Sequence, residues 1–178
     1  GESHYELGDF PRAEADFVTA KTRLEKVRSQ QQETRPDVVR NLALVNTRLA
    51  QIAKRRKQPQ AGLVALEEAV KLWLQVYEAS PNDPEPAIAI ADVRILEAQI
   101  QRGIGKCAES KIQLSEALRL LVALRDALEE RGNMDHRVIG GLAKATVATA
   151  DLMRLQGDLE GAAETYGQAS ELYADAIE

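Results

Sequence analysis

The feature that most constrains this chain is an internal repeat in its small residues. A small side chain recurs at Gly1, Ala50, Ala98 and Ala150, and a second row at Ala20, Ala69, Ala117 and Ala169 follows each by the same 19 positions. Both rows advance by 49, 48 and then 52 residues, so length changes fall only in the connections. In the three complete repeats another alanine lies seven residues earlier, at Ala43, Ala91 and Ala143. Two small rows at fixed separation predict two helices whose backbones approach closely, with the larger Phe17, Leu66, Leu114 or Tyr166 filling the space beside them.

The turn of each helical hairpin is expected at Gly8, Lys57, Gly105 and Gly157, where glycine readily adopts the left-handed conformation that ends a helix. Lys57 has no such ease. Breakers at 34–37, 80–86 and 132–135 separate the hairpins, and helices are predicted over 36–56, 58–79, 85–103, 105–131, 135–156 and 158–177. Trp73 and Tyr77 continue the stripe of Leu66, Ala69 and Val70 at helical spacing and are expected in the core. With 27 alanines and only 4% aromatic residues, the composition favours closely packed helices over sheets.

The run Gly8-Asp9-Phe10 with Ala13, Phe17 and Ala20 and the run Gly157-Asp158-Leu159 with Ala162, Tyr166 and Ala169 resemble the second helix of a tetratricopeptide repeat. The middle repeats depart from that pattern: Lys57 replaces the turn glycine, Pro59 and Cys107 replace the aromatic, and Asn46, Arg94 and Thr146 stand early in the first helix. Repeats of 48–52 residues exceed the family's 34, and about one extra heptad on each helix accounts for most of the difference. The resemblance implies an all-α fold, a right-handed α-α superhelix of antiparallel hairpins. It would form one domain over 1–178, with a truncated repeat at 1–34 and complete ones at 35–83, 84–133 and 134–178. Without an initiator Met, the chain is expected to be a segment of a larger, bacterial protein.

Chemistry finds little foothold. Gly103-Ile104-Gly105-Lys106 lacks the glycine spacing and the hydroxyl residue of a phosphate-binding loop. Cys107 occupies a packing position of the repeat, and His4 and His136 have no evident partner. Glu67-Glu68 and Glu129-Glu130 read as solvated helix surface. One Cys and two His exclude a disulfide framework and a multi-cysteine zinc site. No enzyme, metal or cofactor is expected. No apolar run is long enough to span a bilayer and the first residues are not a signal peptide, so a cytoplasmic location is expected.

Charge is unevenly spread under the net −5: residues 35–57 carry +6 and residues 157–178 carry −6. The run Lys54-Arg55-Arg56-Lys57 lacks the interleaved aromatics of a nucleic-acid site, and cations there also favour a helix C-terminus. Nucleic acid and membrane are therefore not expected partners.

By the resemblance, the concave surface is formed mainly by first helices, and its exposed row would comprise Gln51, Gln99 and Asp151, then Lys54, Arg102 and Arg154. Thr47, Arg48, Asp92, Ile95 and Val147 do not reproduce the clamp with which some family members grip a terminal carboxylate. The expected function is a non-enzymatic scaffold that binds a peptide or helical protein partner, acidic or amphipathic, in this groove. The alternative is a regulatory or oligomerisation arm of a multidomain protein such as a bacterial serine/threonine kinase or transcription regulator. Leu172, Tyr173, Ala176 and Ile177 carry the apolar pattern to the last residue, so self-association through uncapped ends is also expected.

Overall fold

The structure, a computed structural model, describes residues 1–30 and 35–176. Thr34 and Ile177, read above as part of a breaker and of an apolar end, lie outside the described residues. Among those described, the fold is all helical: α1 (Glu2–Glu6), α2 (Phe10–Gln30), α3 (Pro36–Arg55), α4 (Pro59–Ala79), α5 (Pro84–Gly103), α6 (Cys107–Glu129), α7 (His136–Gln156) and α8 (Leu159–Asp175). The boundaries fall within about two residues of those the repeat predicts, because the same local chemistry sets them each time.

That chemistry is visible at the turns. Gly8, Lys57, Gly105 and Gly157 all have positive φ, at 76°, 58°, 80° and 88°. In each, two crossed backbone bonds close the helix. The Lys57 N–H donates to the Lys54 carbonyl and Gln58 N–H to that of Ala53, and the pairs Gly105 to Arg102 with Lys106 to Gln101, and Gly157 to Arg154 with Asp158 to Met153, repeat the geometry. Lys57 is the one non-glycine residue to bear it among the described residues. Helix starts are set more variously: Pro36 and Pro59 occupy first-turn positions, whereas the Asp135 and Asp158 carboxylates accept from the Arg137 and Gly161 N–H groups.

The contacts divide the chain into two compact units, Gly1–Pro86 and Ala87–Glu178. In the N-terminal unit α3 packs along α4 and against α2. Its interior includes Leu42, Ile52, Leu66, Leu72 and Trp73, all at most 2% exposed, while Tyr77, expected in the core, reaches 37% exposure at the rim. In the C-terminal unit α7 packs along α8 and against α6. Ala98 and Leu114 join Ala117, Leu121, Leu142 and Ala148 in one buried cluster there. Six of the eight positions in the small rows are buried as close packing requires, with Ala50, Ala69, Ala117 and Ala150 fully inaccessible and Ala98 and Ala169 1% exposed, whereas Ala20 is half-buried and Gly1 exposed in the first hairpin. A β-carbon at Gly1 would stand 3.0 Å from the Phe17 ring, so the glycine there meets the same large neighbour.

Candidate partner-binding groove

The cations Lys54, Arg102 and Arg154 share a structural position because each supplies the carbonyl that accepts from the left-handed turn residue, at 3.1–3.2 Å. They end first helices, where positive charge meets the negative pole of the helix dipole. Their recurrence therefore has a local cause whether or not they bind anything.

In the C-terminal unit the structure brings two members of the predicted row together. Arg102 Nη1 lies 2.9 Å from Asp151 Oδ2, with the side chains 25% and 30% exposed. The Tyr166 hydroxyl donates to Asp151 Oδ1 at 2.5 Å. Partial burial raises the Asp151 pKa, but the bonds from Tyr166 and Arg102 and the charges of Arg102 and Arg154 outweigh it and hold the carboxyl below its ordinary 3.8. Gln99 is half-buried and Arg154 exposed. In the N-terminal unit Gln51 accepts from Arg48 Nη1 at 2.9 Å, and Lys54 is exposed. Arg48 also pairs with Glu2 at 2.8 Å and stands 5.8 Å over the Tyr5 ring. The row is thus polar and exposed in part, but its best-placed pair neutralises itself.

A larger concavity lies elsewhere, in the N-terminal unit. It is a groove of about 620 Å³ walled by α2 and α4 and floored by α3. Val18 of α2 and Val64 of α4 line it, 49% and 68% exposed, over a floor of Asn46, Leu49 and Ala53. Asn46 is fully buried and held in place at both ends of its amide: Lys21 Nζ donates to its Oδ1 at 2.8 Å, and its Nδ2 donates to the Leu42 carbonyl at 2.8 Å. Four carboxylates, Glu14, Glu25, Glu67 and Glu68, edge the groove against two cations, Lys21 and Lys71. Lys71 bonds Glu67 at 2.8 Å, which lowers the carboxyl pKa and raises that of the amine, and Glu14 pairs with Arg56 outside the groove. Sequence reasoning missed this groove because the resemblance directed attention to first helices. Two valines on the polar side of α2 and α4 were the available signal.

A shallower hollow of about 510 Å³ runs along α6, lined by Ala108, Ile112, Ser115 and Arg119 among others. Cys107 is half-buried against the C-terminal core, His136 is exposed, and His4 Nδ1 lies 2.7 Å from Asp16. No three His, Cys, Asp or Glu side chains converge as metal ligands among the described residues, and no described helix is long and apolar enough to cross a membrane.

No family model matches the chain, and no curated protein is significantly similar to it. Among the solved structures that resemble it are two at low identity. BtubC (BKLC) from P. vanneervenii is 16% identical with a TM-score of 0.47, over 97% of this chain and 76% of that one. The DHF58 filament is 16% identical with a TM-score of 0.40, over 99% and 97% of the two chains. Neither likeness extends to function or partner.

Proposed function

We propose that this chain is a non-enzymatic protein-interaction module, a tetratricopeptide-like array whose hairpins stack as a right-handed superhelix and whose N-terminal unit holds an amphipathic peptide or helical segment. The observation that carries this reading is the groove between α2 and α4. It exposes two valines above a floor whose buried Asn46 amide is already bonded to Lys21 and to the Leu42 carbonyl, so a ligand gains apolar burial without having to pair that amide. Glu68, the groove carboxylate without an ion-pair partner among the described residues, favours a segment with an apolar anchor flanked by Lys or Arg. An acidic segment on the first-helix row Gln51, Lys54, Gln99, Arg102, Asp151 and Arg154 has less support, because the Asp151 carboxylate already engages Arg102.

The test is a peptide-display selection against the whole chain, followed by titration of the recovered peptides. Basic peptides with one or two large apolar residues are expected, and Val64→Glu should weaken them at least ~10-fold while leaving the helical circular dichroism unchanged. Recovered peptides that are acidic, ignore Val64→Glu and respond to Arg154→Glu would move the site to the first-helix row. Peptides indifferent to both changes would defeat the groove reading.

A further inference from the structure

We propose that this chain associates head to tail with copies of itself, the acidic outer face of α8 in one copy packing beside the basic outer face of α2 in the next. The inference is independent of the peptide groove.

The α8 face is unusual in this fold for what it leaves uncovered. Tyr173 stands at the repeat position of Trp73 and Leu121, which are 1% and 0% exposed, yet Tyr173 is 41% exposed. Leu121 is shut off by α7, whose Gly141 would bring a β-carbon to 3.2 Å from it. Beyond Tyr173 the outer side of α8 is made of small residues, Ala163, Gly167 and Ala174, all exposed, which allow another helix to come close. This surface is edged by Glu160, Glu164, Glu171 and Asp175, and none of the four forms an ion pair with a described residue. Residues 157–178 contain no Lys or Arg.

The α2 face answers it in both shape and charge. Ala15, Thr19 and Thr22 form an exposed strip of small side chains, flanked by Arg12, Arg23 and Lys26. Arg23 and Lys26 have no ion-pair partner among the described residues, and Arg12 pairs only with Asp9, at 3.4 Å. Asp16, the acidic member of this side, is bonded within its own chain to His4 Nδ1 at 2.7 Å.

The repeat supplies the register. Within the N-terminal unit the second helices α2 and α4 of successive hairpins flank one groove, and the same relation between copies would run α2 of the next copy parallel to α8. The aligned alanines Ala20 and Ala169 then set Arg12 beside Glu160 and Glu164, and Arg23 and Lys26 beside Glu171 and Asp175. Pairing α8 with α8, or α2 with α2, would oppose like charges, so a symmetric dimer through either face is disfavoured. A heterologous contact of this kind propagates into open chains or closes into a ring.

The test is sedimentation of the whole chain over a wide concentration range at low and high salt. Wild type should grow beyond a dimer as concentration rises, and salt should reverse the growth, since several exposed ion pairs act together. Glu171→Lys with Asp175→Lys, and separately Arg23→Glu with Lys26→Glu, should each lower the association constant at least ~10-fold. Mixed in equal amounts, the two variants should grow again as alternating chains, because the unchanged α2 face of one meets the unchanged α8 face of the other and their two reversed faces also match in charge. A chain carrying all four changes should associate again. Wild type that stays monomeric at every concentration, or a mixture no larger than its parts, would overturn the proposal.

Discussion

The triplet α2–α3–α4 of the N-terminal unit and the triplet α6–α7–α8 of the C-terminal unit are built from equivalent helices, yet they present different surfaces. Val18 and Val64, which face the groove in the first, correspond by alignment to Ser115 and Glu164 in the second. Leu49 and Ala53 of the floor correspond to Thr149 and Met153, and there the Thr165 hydroxyl, which donates to the Gly161 carbonyl at 2.7 Å, lies 3.4 Å from Met153 Sδ, so α8 touches α7 where the groove would open. The Lys21–Asn46 contact has no counterpart in kind, because the equivalents are Leu118 and Thr146. The comparison separates two roles of the repeat. Alanines and turn glycines reproduce the backbone, while a handful of positions outside the small rows decide whether the backbone presents an apolar groove.

The largest test of that comparison concerns the core under each triplet. Leu121 is fully buried, whereas its equivalent Leu24 is only half-buried at the edge of the N-terminal cluster with Ala13, Phe17 and Ile52. Leu121→Ala should cost ~2–5 kcal/mol and Leu24→Ala about half as much or less, read from denaturant midpoints at constant slope. Equal losses would mean that the two triplets are packed alike and that their difference is confined to the surface.

How much of this was legible in the sequence depends on distance along the chain. The turns were legible because the left-handed conformation leaves a trace in single residues, and Gly8, Gly105 and Gly157 mark it. Helix–helix faces were legible because alanine rows repeat at fixed spacing, and those rows are buried except at Ala20, which is half-buried. The groove was not, since Val18 and Val64 are 46 residues apart and their sharing of a groove depends on how α2 and α4 both rest on α3. Tyr166 was read only as a space-filler. Its hydroxyl finds Asp151 one helix away, and Arg102 reaches the same carboxylate from the preceding hairpin, a link that repeat alignment alone does not supply.

That carboxylate gives the second test, because the C-terminal unit has a hydrogen-bonded tyrosine where the N-terminal unit has Leu66. Tyr166→Phe should destabilise the C-terminal unit by about 1 kcal/mol near neutral pH, at the lower end for a bond to a charged acceptor because the site is partly exposed. The folded Asp151 pKa lies below the unfolded value of 3.8, so its contribution is fully present above that value and lost as pH falls through the folded pKa. The wild-type advantage over Tyr166→Phe should therefore shrink in acid below the folded pKa. An advantage unchanged at the lowest accessible pH would show that the tyrosine acts by packing alone.

The smallest expected effect is at the turns, where the two units differ by one side chain. Lys57 adopts φ 58° while Gly105 and Gly157 adopt 80° and 88° with the same pair of backbone bonds. An L-residue in this region is disfavoured by roughly 1–2 kcal/mol relative to its ordinary helical conformation, a penalty that glycine escapes. Glycine in turn leaves the unfolded chain with more freedom, worth ~0.4–1 kcal/mol against it. The difference predicts that Lys57→Gly stabilises the N-terminal unit by about 0.5 kcal/mol, while Gly105→Ala destabilises the C-terminal unit by about 1 kcal/mol. No atom crowds a β-carbon at Gly105 within 4 Å, so the loss there would measure backbone conformation and not a clash. Paired thermal and denaturant unfolding of the two variants would decide the point. If Lys57→Gly is destabilising, the lysine must hold its turn through an interaction of its side chain, and the departure from glycine in this repeat would be a feature selected for that contact.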